Sequence, residues 1–266
     1  MPLVFTQLAS DNFQRPDESP LSNGGLWSST DDVAGDGPPF KKNGLAQLRS
    51  GAVTNLEDGR FSQSLWLGPE NFTNDQYSEF TYLAADQVTY HGPIVRAQTV
   101  DYQSGYKAIV EPFAQTGTAL VFIDRQDNSG PANPSARLAT GEFPCQLGDV
   151  LRIAAVGNVI SFYINGVQKL TVVDNTYASG KIGFGTFHYF LGTRNNNAIS
   201  SWAGGMVSPA LSEVDFREIE SSGEVQLQSV ESSGEVQLQS VSLCPKATFG
   251  ELTSSGEVQI TSLDSV

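Results

Sequence analysis

Residues 148–187 read GDVLRIAAVGNVISFYINGVQKLTVVDNTYASGKIGFGTF, and they restrict what the chain can fold into more than any other stretch. Leu151, Ile153 and Ala155 alternate with Arg152, Ala154 and Val156. Gly157-Asn158 is a turn of the kind that tight hairpins prefer. Ile160, Phe162 and Ile164 then point one way, and Val159, Ser161 and Tyr163 the other. Asn165-Gly166 is a strong hairpin signal, because both central positions of a type I′ turn need positive φ. Leu170 to Val173 continues the meander, and Asp174-Asn175 and Ser179-Gly180 turn the chain before Ile182–Phe187. No helical period fits. The stretch predicts an antiparallel meander with one apolar face, which something must cover.

The rest of the chain repeats this texture. Strands are expected over 3–7, 44–53, 60–67, 76–83, 92–99, 106–113 and 118–125. Asn43-Gly44 and Asp58-Gly59 read as further hairpin turns, and 28–42 and 126–135 as loops. Spacing of roughly 8–12 residues per strand is the mark of a sandwich. Ser212–Ile219 is expected to close it beside the first strand, so residues 1–219 form one all-β antiparallel domain. The 26 glycines and 13 prolines suit a turn-rich β chain, and 39% hydrophobic residues suffice for its core.

The net charge of −14 argues against nucleic acid and anionic membrane as partners. No apolar run approaches the ~20 residues of a membrane helix. The N-terminus MPLVFTQLASDNF has no basic segment or long apolar segment, so no secretory signal is read there. Cys145 and Cys244 read as small buried hydrophobes.

A different texture follows. ESSGEVQLQSV at 220–230 is repeated without change at 231–241, and a third SSGEVQ starts at Ser254. Residues 218–266 carry eight acids and one lysine, a net −7 and half of the chain's charge. Each unit reads as one strand after a Ser-Gly turn. A unit this short cannot bury a face alone, so 220–266 is expected to form strands. Val225, Leu227, Val236, Leu238, Val258 and Ile260 would be covered by other chains, most simply in a homotrimer.

The 148–185 stretch resembles the second half of a concanavalin A-like (laminin G-like) jelly-roll domain, where a phrase like LRIAAVGNVISFYING followed by DNTYASGKIGFG recurs. Asp11-Asn12-Phe13-Gln14-Arg15, Leu21 and Trp27 are similar to the opening of such domains. The resemblance implies a jelly roll with Phe13 and Trp27 plugging the core and Arg15 paired with a carboxylate. It also implies one structural calcium where first and last strands meet, at Asp11 and Asp215, with no other cofactor. One such sandwich hosts lectins, glycosidases and structural modules, so the fold leaves function open.

Three functions stay in view. A jelly roll joined to short β-repeats is similar to a phage virion component, a non-enzymatic capsid decoration, head-fibre or tail-fibre module. It would sit on the virion surface among other virion proteins. A carbohydrate-binding or adhesion module, virion-borne or extracellular, would meet a cell-surface glycan through outward polar and aromatic residues; Arg96, Tyr106 and Tyr163 are the candidates. A glycosidase would use Glu213 and Glu218, since Glu213-Val214-Asp215-Phe216-Arg217-Glu218 is similar to the E-x-D-x-x-E signature of sandwich glucanases. That chemistry needs two carboxylates about 5–5.5 Å apart. The motif stands at the end of the domain instead of its middle, so no catalytic residue is assigned. His91 and His188, the two histidines, lie in no triad or zinc spacing. Asn71-Phe72-Thr73 fits a glycosylation sequon.

Overall fold

The computed structural model of the chain describes residues 2–28, 41–44, 46–55, 60–84, 89–98, 104–113, 117–126, 136–188, 198–210, 247–248 and 262–263. The elements there are strands: β1 (Leu3–Asp11), β2 (Lys41–Gly44), β3 (Ala46–Arg49), β4 (Ala52–Asn55), β5 (Arg60–Leu65) and β6 (Gln76–Ala84). Then come β7 (Thr89–Ala97), β8 (Gly105–Phe113), β9 (Thr118–Gln126), β10 (Ala136–Pro144), β11 (Val150–Val156) and β12 (Val159–Ile164). The last are β13 (Val167–Val173), β14 (Lys181–His188), β15 (Ala198–Pro209), β16 (Ala247–Thr248) and β17 (Ser262–Leu263). Two compact units divide the chain, Met1–Ala210 and Leu211–Val266. In the second, β16 pairs with β17.

Unit one is an all-β jelly-roll sandwich. Its eight-stranded sheet runs β13-β12-β11-β6-β15-β4-β3, with β1 also on β15; its seven-stranded sheet runs β10-β9-β8-β7-β14-β5-β2. Pairing is antiparallel except between β2 and β5. The 148–187 meander forms as its turns dictate. Asn165 and Gly166 both take positive φ, at 51° and 76°, and close a two-residue hairpin between β12 and β13.

Other turns differ from expectation. Asn43-Gly44 ends strand β2 and is no hairpin. The single strand expected over 44–53 is split by Ser50-Gly51, both at positive φ, into the β3–β4 hairpin. Strands β10 and β15 lie where the sequence showed none. The place beside the first strand belongs to β15, which pairs with β1 from Leu3↔Pro209 to Asp11↔Trp202. Ser212–Ile219, expected there, lies outside the described residues.

Between the sheets, Trp27 packs on Trp202 at 4.7 Å and on Phe184 at 4.9 Å, and Trp66 stacks on Trp202 at 5.2 Å. Phe13, fully buried, joins this aromatic cluster. It holds φ of 55°, and its amide donates to Asp11 Oδ1 at 2.8 Å. Arg15 pairs with Asp11 at 2.6 Å and with Glu18 at 2.8 Å. Cys145 is buried, as expected of a small hydrophobe, and burial pushes its thiol up to about 12.

Candidate functional site

Three residues expected on an open sugar face are spent elsewhere. Arg96 is 1% exposed; its Nε and Nη2 donate to Asn74 O at 3.1 and 2.9 Å and its Nη1 to Tyr177 O at 3.0 Å. The Tyr106 hydroxyl, from a buried ring, donates to Asp174 Oδ1 at 2.5 Å. Arg125 donates to Asp174 Oδ2 at 2.7 Å. Burial opposes the Asp174 charge, but these hydrogen bonds outweigh it and hold the carboxyl at about 2. These groups staple the 174–180 turn to the sheets and leave Arg96 and Tyr106 no surface for a ligand. Tyr163 does point away from Phe162 and Ile164, as alternation requires, yet it is buried on the far side. There Phe5 meets it edge-on at 5.7 Å, in a cluster with Tyr77, Ala154 and Val207.

Asp11 does not offer a calcium ligand. Oδ1 accepts from Phe13 N and Arg15 Nη1, and Oδ2 from Trp27 Nε1 at 2.8 Å and Asn23 Nδ2 at 3.3 Å. Four donors saturate the carboxylate that a cation would need. Among the described residues no group of three or more His, Cys, Asp or Glu is placed to hold a metal. Asp215, Glu213 and Glu218 lie outside the described residues. So do Val225, Leu227, Val236, Leu238, Val258 and Ile260.

A groove of about 280 Å³ opens on the outer face of the eight-stranded sheet. Its floor is β15, where alternation sends Trp202 into the core and leaves small Ser201 and Ala203 outside. One wall is β1, with Gln7 and Ser10, continued by Asn12 just after it. The other is β6, with Glu79 and Thr81, backed by Val150 of β11. The Ser201 hydroxyl donates to Thr81 Oγ1 at 2.8 Å.

Next to the lining, at the register row Gln7–Gly205–Tyr77, stands an aromatic pair. Phe5 and Tyr77 meet edge to face at 5.4 Å across Gly205. A Cβ at Gly205 would strike the Thr6 carbonyl oxygen and come within 2.9 Å of the Tyr77 ring, so these rings need a glycine beneath them. The Arg152 guanidinium lies 4.1 Å from the Phe5 ring centre and 5.0 Å from that of Tyr77. Arg152 also binds Glu79 Oε2 at 2.6 Å. Burial, helped by the Glu79 charge, pushes the Tyr77 phenol up to about 12, so it stays protonated at neutral pH.

Glu79 and Arg152 were not singled out in the sequence. They are 73 positions apart and meet because β6 and β11 pair with Arg152 opposite Glu79. Strand 76–83 and the alternation of Arg152 with Leu151 were both legible, but their juxtaposition was not.

The outer face of the seven-stranded sheet is different. Leu65, Gly183, Ile94, Lys107, Asp124 and Arg137 form one register row across six strands. Lys107 and Asp124 are buried, and Arg137 contacts Asp124 at 3.4 Å while stacking 3.4 Å over Phe122. Burial pushes the Lys107 ammonium down to about 7 against the pull of Asp124, and pushes the Asp124 carboxyl up. Gln63 is buried on β5, and among the described residues neither of its amide atoms has a hydrogen-bond partner.

No family model and no curated protein matches this chain. Solved structures do. A carbohydrate-binding module, CBM66 from Bacillus subtilis, is 17% identical, with 70% of this chain and 96% of that one covered at a TM-score of 0.45. Porphyranase B from Zobellia galactanivorans is 10% identical over 78% and 94% of the chains, TM-score 0.47. A β-glucanase of Bacillus licheniformis is 16% identical over 75% and 95%, TM-score 0.41. At that level of likeness none of them assigns an activity to this chain.

Proposed function

We propose that the sandwich is a non-enzymatic glycan-binding domain and that the groove over β15 is where the sugar sits. One observation carries this reading. The groove is lined by hydroxyl and amide side chains beside apolar Phe80, Val150, Trp202 and Ala203, and of its two carboxylates Glu79 is held by Arg152 through Oε2 and Asp11 by four N–H donors. A neutral polyol matches such a lining, because its hydroxyls both donate and accept. Glycosidic cleavage uses one carboxyl as acid and a second as nucleophile or base. Asp11, with four N–H donors, has no oxygen left for either role, and Glu79 alone leaves the catalytic pair incomplete. Calorimetry against neutral oligosaccharides should show binding, and a reducing-sugar assay on the same mixtures should show no release. Sugar release lost in Glu79→Gln would replace binding by catalysis.

A second reading concerns how the domain is displayed, and the unbroken 11-residue repeat favours it. A short unit buries only two or three apolar side chains, each contributing about 1.5–3 kcal/mol, against about 1–2 kcal/mol of backbone entropy per ordered residue. Association of identical tails, as a trimer on a virion or other surface assembly, would enlarge the buried face. Deleting 220–266 should leave a folded sandwich that no longer oligomerises. A truncated chain of unchanged mass by light scattering would end this reading.

A further inference from the structure

The lining of the groove stops beside the Phe5 and Tyr77 rings, and that bears on which part of a saccharide it can hold. Resting on the glycan reading above, we infer that the groove seats the terminal unit of a neutral saccharide chain, with Glu79 and Arg152 beside those rings holding the outermost hydroxyls.

The floor from Ser201 to Gly205 spans roughly 13 Å at strand rise. Over Gly205 the Phe5 and Tyr77 rings meet at 5.4 Å, edge against face. A pyranose ring cannot pass between rings already in contact, so a chain lying along β15 must stop there. Gln7, Ser10, Thr81 and Ser201 are shorter and present hydroxyl or amide groups to whatever lies on the floor. A volume of about 280 Å³ lies at the bottom of the range for small-molecule sites and suits one or two sugar rings.

Charge chooses the ligand class. Glu79 pairs with Arg152 at 2.6 Å, and Arg15 is shared between Asp11 at 2.6 Å and Glu18 at 2.8 Å. The remaining lining is neutral, so the groove has no excess of positive charge with which to hold a phosphate or sulfate. Both Arg152 contacts are made to Oε2 of Glu79, which leaves Oε1 to accept from a sugar hydroxyl. The guanidinium has five N–H donors and supplies the complementary bond. It lies over the Phe5 and Tyr77 rings, so the pair is arranged before a ligand arrives.

The test is a printed array of neutral linear oligosaccharides, each spotted in two forms, attached through its reducing end and through its non-reducing end. The full chain should bind one orientation and not the other. Equal binding to both orientations would overturn the chain-end inference and keep the glycan reading. Binding to neither form would remove both. Glu79→Gln should weaken the bound oligosaccharide at least tenfold in calorimetry, with the circular dichroism of the native chain. Ser201→Trp, which fills the floor, should abolish binding if Glu79→Gln fails to fold. Arg137→Ala, on the other sheet, should bind as the native chain does. A Ser201→Trp protein that binds normally would overturn the inference.

Discussion

The two outer faces of the sandwich follow the same alternation but solve the problem of polar residues differently. On the eight-stranded sheet the ion pair is shallow: the Arg152 and Glu79 side chains remain 18% and 17% exposed beside a groove. On the seven-stranded sheet Lys107 and Asp124 are 1% and 4% exposed, and Gln63 is buried with neither amide atom hydrogen-bonded among the described residues. A partly exposed pair keeps some of its hydration, so it can exchange water for a ligand's hydroxyls. A buried pair has already lost that water and stands or falls on its internal partners. Charge alone therefore does not mark a binding face.

The largest effect should come from the buried face. Below about pH 7, where Lys107 is charged, Asp124→Ala removes the carboxylate opposite it in the register and is expected to destabilise the sandwich by about 3–5 kcal/mol, read from the urea midpoint. A loss below about 1 kcal/mol would place the pair in the same class as Arg152 and Glu79.

The pH dependence has a definite sign. Lys107 titrates near 7 when folded and near 10.5 when unfolded. Between these values the unfolded chain holds one more proton, so stability rises as pH climbs from about 7 toward 10. Lys107→Met should flatten that rise. At the acid end, Glu18 has its carboxyl at about 2: burial opposes its charge, but Arg15 and the amides of Ser22 and Asn23 outweigh that. Its contribution is complete above about 4.5 and is lost as pH falls toward 2; Glu18→Gln should reduce the acid slope.

Gln63→Met removes two buried polar atoms that lack partners among the described residues while keeping the volume. It should stabilise the protein by about 1–3 kcal/mol in urea unfolding. Destabilisation would mean that the amide is satisfied in solution, and the contrast between faces would narrow. The smallest stability change belongs to the open face. Arg152→Ala should cost about 1 kcal/mol, from a part-exposed ion pair and a cation–π contact, while removing glycan binding. A loss as large as that of Asp124→Ala would show that Arg152 holds the fold and not a ligand.

Much of the sandwich was legible because its signals are local. Asn165-Gly166 and Gly157-Asn158 specify two-residue turns, and period-two runs specify which side chains share a face. Phe13 and Trp27 reached the core as expected. β15 was not legible: Ser200, Ser201, Gly204 and Gly205 weaken any strand pattern. Gly204 and Gly205 are there because Ile182, Thr6 and Tyr77 approach too closely for a larger residue.

By itself the sequence determined the all-β class, the turns of the meander and the alternation that turns Tyr163 away from the core. Tertiary structure alone decided what Tyr163 meets there, because Phe5 arrives from 158 positions away through the pairing of β1 with β15. It also decided that Arg152 would lie over Phe5 and against Glu79, and that Asp11 would be filled by Trp27 and Asn23. Local chemistry sets which way a side chain points. What waits on that side depends on strand order, a property of contacts distant along the chain that no window of neighbouring residues contains.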